Sequence, residues 1–349
     1  MSSRRPAKLI HALEWLEAHT ERIHLHARTG KKANIMTDQM NLIFLGTGAA
    51  APSLSRGLPA LVVQQENRLV LCDCGEGTQM QLQRAGLSSA KIHTILISHL
   101  HGDHLFGLPG LINSQQLLGR SRPLNIYGPI GLRRFIGCMK QLSAYEPDFA
   151  LAIHELDECD EQHFDIPGFT VTARRLEHSS PCFGFRLQEP PKPGVFDADK
   201  AERLGIPRGM ERAALQRGEN VRVSGREIAA PEIVGPERPG RVIVYCTDTR
   251  PCEAGIELAR HCDLLVHDAT FSDAYADRAE PTMHSTGRDA ARVAQTAGAK
   301  RLALWHLSIR LHGGEEENLL HQAREGFADA FLPSDLDVVK IERRGADEP

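Results

Sequence analysis

The hexapeptide His99-Leu100-His101-Gly102-Asp103-His104 constrains this chain more than any other feature. It sets four potential metal ligands directly after the apolar run Thr94-Ile95-Leu96-Ile97, which reads as a buried strand. A strand end gives a ligand-bearing loop a rigid base. His99 and His101 are spaced to reach one metal, and the adjacent Asp103 and His104 a second. A two-metal hydrolytic site needs such clustering, and packing explains it poorly. The competing explanation is an inert metal staple, but structural zinc sites usually close four Cys or His ligands around one ion.

The remaining composition narrows the setting. With 349 residues, the chain can build a large core as one big domain or two ordinary ones. No apolar stretch approaches 18 residues, so no membrane span is expected. Arg4 and Arg5 are followed by neither an apolar run nor a small-residue cleavage site, which argues against secretion. Glu14, Glu17 and Glu21 interrupt any transit peptide. None of the eight cysteines forms a Cys-x-x-Cys pair, and they read as mostly buried, reduced thiols of a cytoplasmic protein.

The chain divides into unequal parts. Residues 1–40 read as an extension, with Leu9, Leu13, Leu16, Thr20 and Ile23 at helical spacing and a linker after them. From Asn41 to Ile341, strand-like runs interleave with helical ones, the pattern of a layered α/β domain, and residues 342–349 form a tail. Strands are expected at Leu42–Leu45, Leu61–Val63, Leu69–Leu71, Leu124–Tyr127, Phe169–Ala173, Phe183–Leu187, Val242–Cys246, Leu264–His267, Leu302–Trp305 and Val338–Ile341. Helices are expected at Gly77–Arg84, from Leu108, and at Ile130–Leu142, Glu253–His261, Arg288–Ala297 and Glu315–Ala330.

Residues 189–239 break this rhythm, being rich in Pro, Gly and charge and lacking clear core strands. A stretch this long is either functional or disordered, and it reads as a projecting arm, the dull alternative being a surface excursion without a partner. The net charge of −4 does not by itself suggest a nucleic-acid binder. Within the arm, however, seven basic residues from Lys200 to Arg226 face three acidic ones, a local charge of +4.

More candidate ligands follow other predicted strands: His178, Asp248, His267 with Asp268, and His306. A lone histidine after a strand is more often a satisfied polar residue than a ligand. Four such groups at strand ends, beside an evident metal loop, shift that balance.

Several segments together resemble the tRNase Z (ribonuclease Z) family of the metallo-β-lactamase superfamily. They are Phe44-Leu45-Gly46-Thr47-Gly48, Asp73-Cys74-Gly75-Glu76-Gly77-Thr78-Gln79, Ser98 to His104, Leu176-Glu177-His178, Thr247-Asp248-Thr249-Arg250-Pro251, His284-Ser285-Thr286 and Trp305-His306-Leu307-Ser308, in the family's order. The His-x-His-x-Asp-His motif marks only the superfamily, and the other stretches narrow it. The resemblance implies a four-layer αββα sandwich, two zinc ions per subunit, a homodimer and precursor tRNA as substrate.

Carried over by position, His99, His101 and His178 would bind one zinc, Asp103, His104 and His306 the other, and Asp248 would bridge them. The resemblance also gives Asp103 the proton of the attacking water and His284 the leaving 3′ oxygen, with Asp268 standing where the family usually has glutamate. On the residues alone, His284 also reads as a polar residue at a helix start, since Ser285 and Thr286 look like caps. Asp73 reads equally as an orienting residue or a turn aspartate. Gly46-Thr47-Gly48 reads as a tight turn, or more weakly as a phosphate cradle.

The arm resembles the family's exosite through Lys192-Pro193-Gly194, Phe196-Asp197 and Leu204-Gly205-Ile206-Pro207, with Gly209-Met210 where a Gly-Pro pair usually follows. Lys200, Arg203, Arg208, Arg212 and Arg217 are its candidate phosphate contacts, which would recognise shape without base selectivity. Ser308 and Arg310 are candidates for the terminal nucleotide, or simply loop polarity. The activity implied is zinc-dependent removal of the 3′ trailer. The alternatives are a phosphodiesterase for small or unstructured substrates, and RNA binding with a relic site.

Overall fold

A computed structural model describes residues 38–143, 146–157, 161–312 and 314–343. The helix and linker expected before residue 38 lie outside the described residues, as do residues 344–349 of the expected tail. In chain order the strands are β1 (Met40–Gly46), β2 (Ala60–Gln65), β3 (Arg68–Cys72), β4 (Ile92–Leu96), β5 (Leu124–Pro129), β6 (Leu151–Leu156), β7 (Glu161–Ile166), β8 (Phe169–Leu176), β9 (Cys182–Gln188), β10 (Val221–Val223), β11 (Arg226–Ile228), β12 (Val242–Cys246), β13 (Leu264–Asp268), β14 (Leu302–Trp305), β15 (Ala330–Phe331) and β16 (Val338–Lys340). The α-helices are α1 (Thr78–Arg84), α2 (Gly102–Leu105), α3 (Leu108–Leu117), α4 (Leu132–Ser143), α5 (Ala198–Arg203), α6 (Met210–Gln216), α7 (Glu253–Leu258), α8 (Ala276–Thr282), α9 (Gly287–Ala297) and α10 (Glu315–Gly326).

Two seven-stranded sheets form the body, in the orders β16-β1-β2-β3-β4-β5-β6 and β15-β14-β13-β12-β9-β8-β7. Successive residues of a strand point to opposite faces. Leu42 and Phe44 therefore join the core between the sheets with Phe183, Phe185, Tyr245, Val266 and Trp305. Ile43 and Leu45 instead pack outward with Leu108, Leu111, Ile112 and Ile136 of the helices. The second sheet does the same, with Val244, Leu265 and Leu304 against Ala290, Val293 and Leu319. Burial on both faces explains the unbroken apolar runs in the sequence. The result is the four-layer αββα arrangement.

In each sheet a run of strands is parallel: β3 to β6 in one, and β12 to β15 in the other. Parallel strands bring their carboxyl ends to one edge, the usual place for a site in open α/β sheets.

Some expectations need correction. The helix expected over Glu315–Ala330 stops at Gly326, and Ala330 instead pairs with Leu302 as the sheet edge β15. The helix from Glu253 ends at Leu258, with His261 in left-handed backbone, φ 51°. Strands β6 and β7 were not anticipated. They are sheet edges, and their charged, half-exposed faces hide the apolar alternation.

The arm is built rather than loose. Its two ends run as an antiparallel ribbon, with backbone bonds from Glu189 N to Arg241 O, Lys192 N to Arg238 O and Asp197 N to Ile233 O, at 2.9, 2.9 and 2.8 Å. Any side chain at Gly240 would collide with the Glu189 carbonyl, so glycine permits this pairing. Beyond the ribbon, α5, α6 and the hairpin β10–β11 enclose a small core of Ala201, Ile206, Leu215, Ile228, Ala230 and Ile233.

At the base, buried Arg241 bonds Glu189 Oε2 through Nε and Glu189 Oε1 through Nη2, both at 2.9 Å. Arg343 reaches the same Glu189 at 2.6 Å, and Asp38 bonds both arginines. Burial opposes ionised Glu189 and Asp38, but the guanidinium groups outweigh it and hold both below the ordinary carboxylate range.

Candidate metal centre

Each ligand carried over from the family emerges where a strand ends, whereas His267, inside β13, bonds the Asp268 carbonyl through Nδ1 and joins neither donor group. His99 and His101 follow β4, Asp103 and His104 form the first turn of α2, His178 follows β8, Asp248 follows β12 and His306 follows β14. Asp248 and His306 adopt left-handed backbone, φ 48° and 63°, as does Asp73 at 56°. Non-glycine residues are rarely held there, and such strain clusters at functional sites.

The Asp248 carboxylate divides two groups of donors. Its Oδ2 faces His99 Nε2 at 3.5 Å and His178 Nε2 at 3.9 Å. Its Oδ1 lies 3.3 Å from both His104 Nε2 and His306 Nε2. His101 Nδ1 joins the first group, 3.3 Å from His178 Nε2. Asp103 Oδ2 joins the second, 3.5 Å from His306 Nε2 and 3.6 Å from His104 Nε2. These two sets, His99–His101–His178–Asp248 and Asp103–His104–His306, each hold their ligand atoms within 4.8 Å of one another.

Four of the imidazoles are oriented by the ring nitrogen that faces away. Nδ1 of His99 donates to Ser98 Oγ at 3.0 Å, and that of His104 to Asp73 Oδ2 at 2.7 Å. Nδ1 of His178 donates to the Met283 carbonyl at 3.3 Å, and that of His306 to Thr270 Oγ1 at 2.9 Å. In the neutral tautomer this leaves an Nε2 lone pair on each ring, all aimed inward. Asp73 is wholly buried and also accepts Ser98 N, Ser98 Oγ and Tyr245 OH, so it fixes the metal loop as well as His104.

The residues fit a divalent cation. His99 Nε2 is buried without a hydrogen-bond partner among the described residues, a costly state unless something else binds it. Imidazole nitrogens converging with carboxylates suit zinc and similar ions. Burial would raise Asp248, but the His104, His306 and His99 imidazoles hold it far below its ordinary range. Burial depresses His99 and His178, while for His104 the Asp248 and Asp73 carboxylates outweigh burial and raise it.

The donors open onto a cleft of about 600 Å³, lined on other sides by Ala50, Pro52, Leu58, Phe106 and His284. His284 is carried between α8 and α9, and its Nδ1 is 2.6 Å from Oδ2 of buried Asp268. Burial works against its imidazolium, but Asp268 outweighs this by charge and hydrogen bond and lifts it to about 9.

With this geometry in view, the relatives are informative. The ribonuclease Z of Methanosarcina acetivorans is 40% identical over 305 residues, covering 87% of this chain and 99% of that protein. The chain belongs to the ribonuclease Z family. The crystal structure of the short form of human tRNase Z superimposes with TM-score 0.64 at 33% identity, over 87% of this chain and all of that one. The metallo-β-lactamase fold protein YhfI from Bacillus subtilis shares the fold, with TM-score 0.61 at 20% identity over 87% and 100% of the two chains. A family profile described as Anti-Pycsar protein Apyc1 matches residues 40–200. A divalent-metal site is a property of this fold and family.

Other candidates sit apart from the cleft lining. Ser308, two residues after His306, is nearly buried with its N–H bonded to the Thr270 carbonyl, and Arg310 is exposed two residues on. In the arm, Arg212 turns inward to the Ile206 carbonyl and Glu202. Arg208 pairs with Glu202 and Arg217 with Glu219, while Arg203 is exposed and Lys200 partly so.

Sequence reading missed Thr270 and Tyr245. Thr270 Oγ1 donates to Asp268 Oδ1 at 2.7 Å while accepting from His306, so Asp268 steadies two histidines at once. Its position two residues past a strand-end aspartate was the available signal. Tyr245 lies on an all-apolar strand, where its polar tip gave none.

Proposed function

We propose that the chain is a zinc-dependent endoribonuclease that removes the 3′ trailer from precursor tRNA. The observation that carries this reading is Asp248, whose two oxygens each face a separate set of donors. His99, His101 and His178 would hold one zinc, and Asp103, His104 and His306 the other, with Asp248 between them. When bound, such a pair supplies an activated water and polarises the scissile phosphate.

The chain's own residues complete the chemistry. Asp103, fixed by the Ala50 N–H at 2.8 Å, accepts the proton of the attacking water. Protonated His284, oriented by Asp268, gives its proton to the leaving 3′ oxygen. The tRNA keeps a 3′-hydroxyl and the trailer a 5′-phosphate. Lys200, Arg203, Arg208 and Arg217 bind tRNA phosphates on the arm, and Arg212 braces it from within. Exposed Arg310 contacts the terminal nucleotide near His306, and Ser308 shapes that loop by accepting the Arg310 N–H at 3.3 Å.

The family resemblance implies a homodimer in which one subunit's arm holds tRNA for the other's cleft, and exposed Leu117, Leu118, Ile130 and Leu142 offer apolar surface for it. Among the described residues no helix is long and apolar enough to cross a membrane. The seven described cysteines are free and six are buried, which fits the reducing cytoplasm.

The test is cleavage of a precursor tRNA labelled in its trailer. Release of an intact trailer with a 5′-phosphate supports the reading. Cleavage of a small phosphodiester without any of precursor tRNA would favour the alternative phosphodiesterase.

A further inference from the structure

An aromatic side chain stands beside the candidate metal centre with no evident task. Phe106 is 62% exposed although it lines the cleft with His101, Asp103, Asp248 and His306. Eleven large apolar side chains are exposed among the described residues, and Phe106 is the one aromatic ring in that set.

The position of the ring is built. Phe106 caps α2, its N–H bonded to the Gly102 carbonyl at 2.9 Å. It lies three residues after Asp103, so both side chains leave the same helical face. The ring sits directly over Gly102, where any Cβ would strike its edge carbons. Phe135 of α4 backs it nearly in parallel, with centroids 6.4 Å apart and 14° between planes. Ala50, Pro52 and Leu58 extend the apolar lining of the same cleft. An exposed, braced aromatic face beside a candidate metal centre matches the way proteins hold unpaired nucleobases, by stacking that any base can satisfy.

We propose that Phe106 is a stacking platform for one nucleobase adjoining the scissile phosphate, so that it positions the RNA strand for the cut. The proposal rests on the ribonuclease reading above and adds a positioning residue to it. Stacking on Phe106 holds one base on the apolar side of the cleft and leaves the neighbouring phosphate over the ligands.

The test compares wild type, Phe106→Leu and Phe106→Trp on precursor tRNA. Each enzyme also meets two substrates with an abasic residue, one immediately 5′ and one immediately 3′ of the cut. Loss of one stacked base predicts that Phe106→Leu lowers kcat/KM roughly tenfold on intact RNA, while Phe106→Trp retains it. At the stacked position, removing the base should slow wild type by a similar factor and Phe106→Leu no further, which also tells which side stacks. Equal activity of Phe106→Leu and wild type would overturn the proposal. So would a loss of the same factor on all three substrates, or a change in oligomeric state, since either would make the ring a structural contact. Failure of wild type to cut any precursor tRNA would remove the ribonuclease reading itself, and the platform with it.

Discussion

His284 Nδ1 and Asp268 Oδ2 lie 2.6 Å apart, and the same aspartate reaches His306 through the Thr270 hydroxyl. One buried carboxylate therefore orients both the proposed proton donor and a proposed metal ligand. The aspartate is shorter than the glutamate expected from the family, yet it reaches the ring directly.

The two substitutions at this pair should differ. His284→Ala removes a general acid and should lower kcat by about 10²–10⁴, with metal content unchanged. Asp268→Asn should lower kcat as well, and also weaken metal retention, because Thr270 loses its charged acceptor. Steady-state kinetics with elemental analysis of each variant separates the effects. Equal metal retention by both would break the link from Asp268 to His306.

The arm should be separable from the body. Its ribbon and ionic base secure it to the sandwich, while the tip has a core of its own. Replacing residues 198–232 with a short turn, while keeping Glu189 and Arg241, should abolish cleavage of precursor tRNA and spare a small chromogenic phosphodiester. Binding by the intact protein should weaken steeply as salt rises, and the truncated form should lose most of that slope. Fluorescence anisotropy over a salt series measures it.

Acid should loosen the arm base. Glu189 and Asp38 are held below their ordinary pKa values by Arg241, Arg343 and Lys192, despite burial. Depressed carboxylates contribute stability that is full above the unfolded values of about 4 and is lost as pH falls through the folded ones. Wild-type Tm should therefore fall more steeply from pH 6 to pH 3 than that of Glu189→Gln. At pH 7 that variant removes the buried anion while Asp38 still bonds Arg241 and Arg343, and should cost about 1–3 kcal/mol. Parallel Tm profiles would contradict the assignment.

The body of the fold was legible because its strands are buried on both faces and read as apolar runs, as in β4 and β12. The candidate ligands were legible because each terminates such a run. Edge strands β6 and β7 escaped notice, since half-exposed strands carry charge. The arm's fold was hidden for another reason. Its core is six small or aliphatic side chains spread over 33 residues, too sparse for any window to show a period. The ionic base was equally silent, because Asp38, Glu189, Arg241 and Arg343 meet only in three dimensions.

The division of donors by Asp248 is tested most directly by zinc stoichiometry, measured alongside precursor-tRNA cleavage for wild type and Asp248→Ala. Wild type should hold two zinc ions per chain and release the trailer, with activity lost to a chelator and restored by zinc. Asp248→Ala should lose metal and fall to background cleavage. Full-rate processing by Asp248→Ala, or by wild type stripped of metal, would contradict the account.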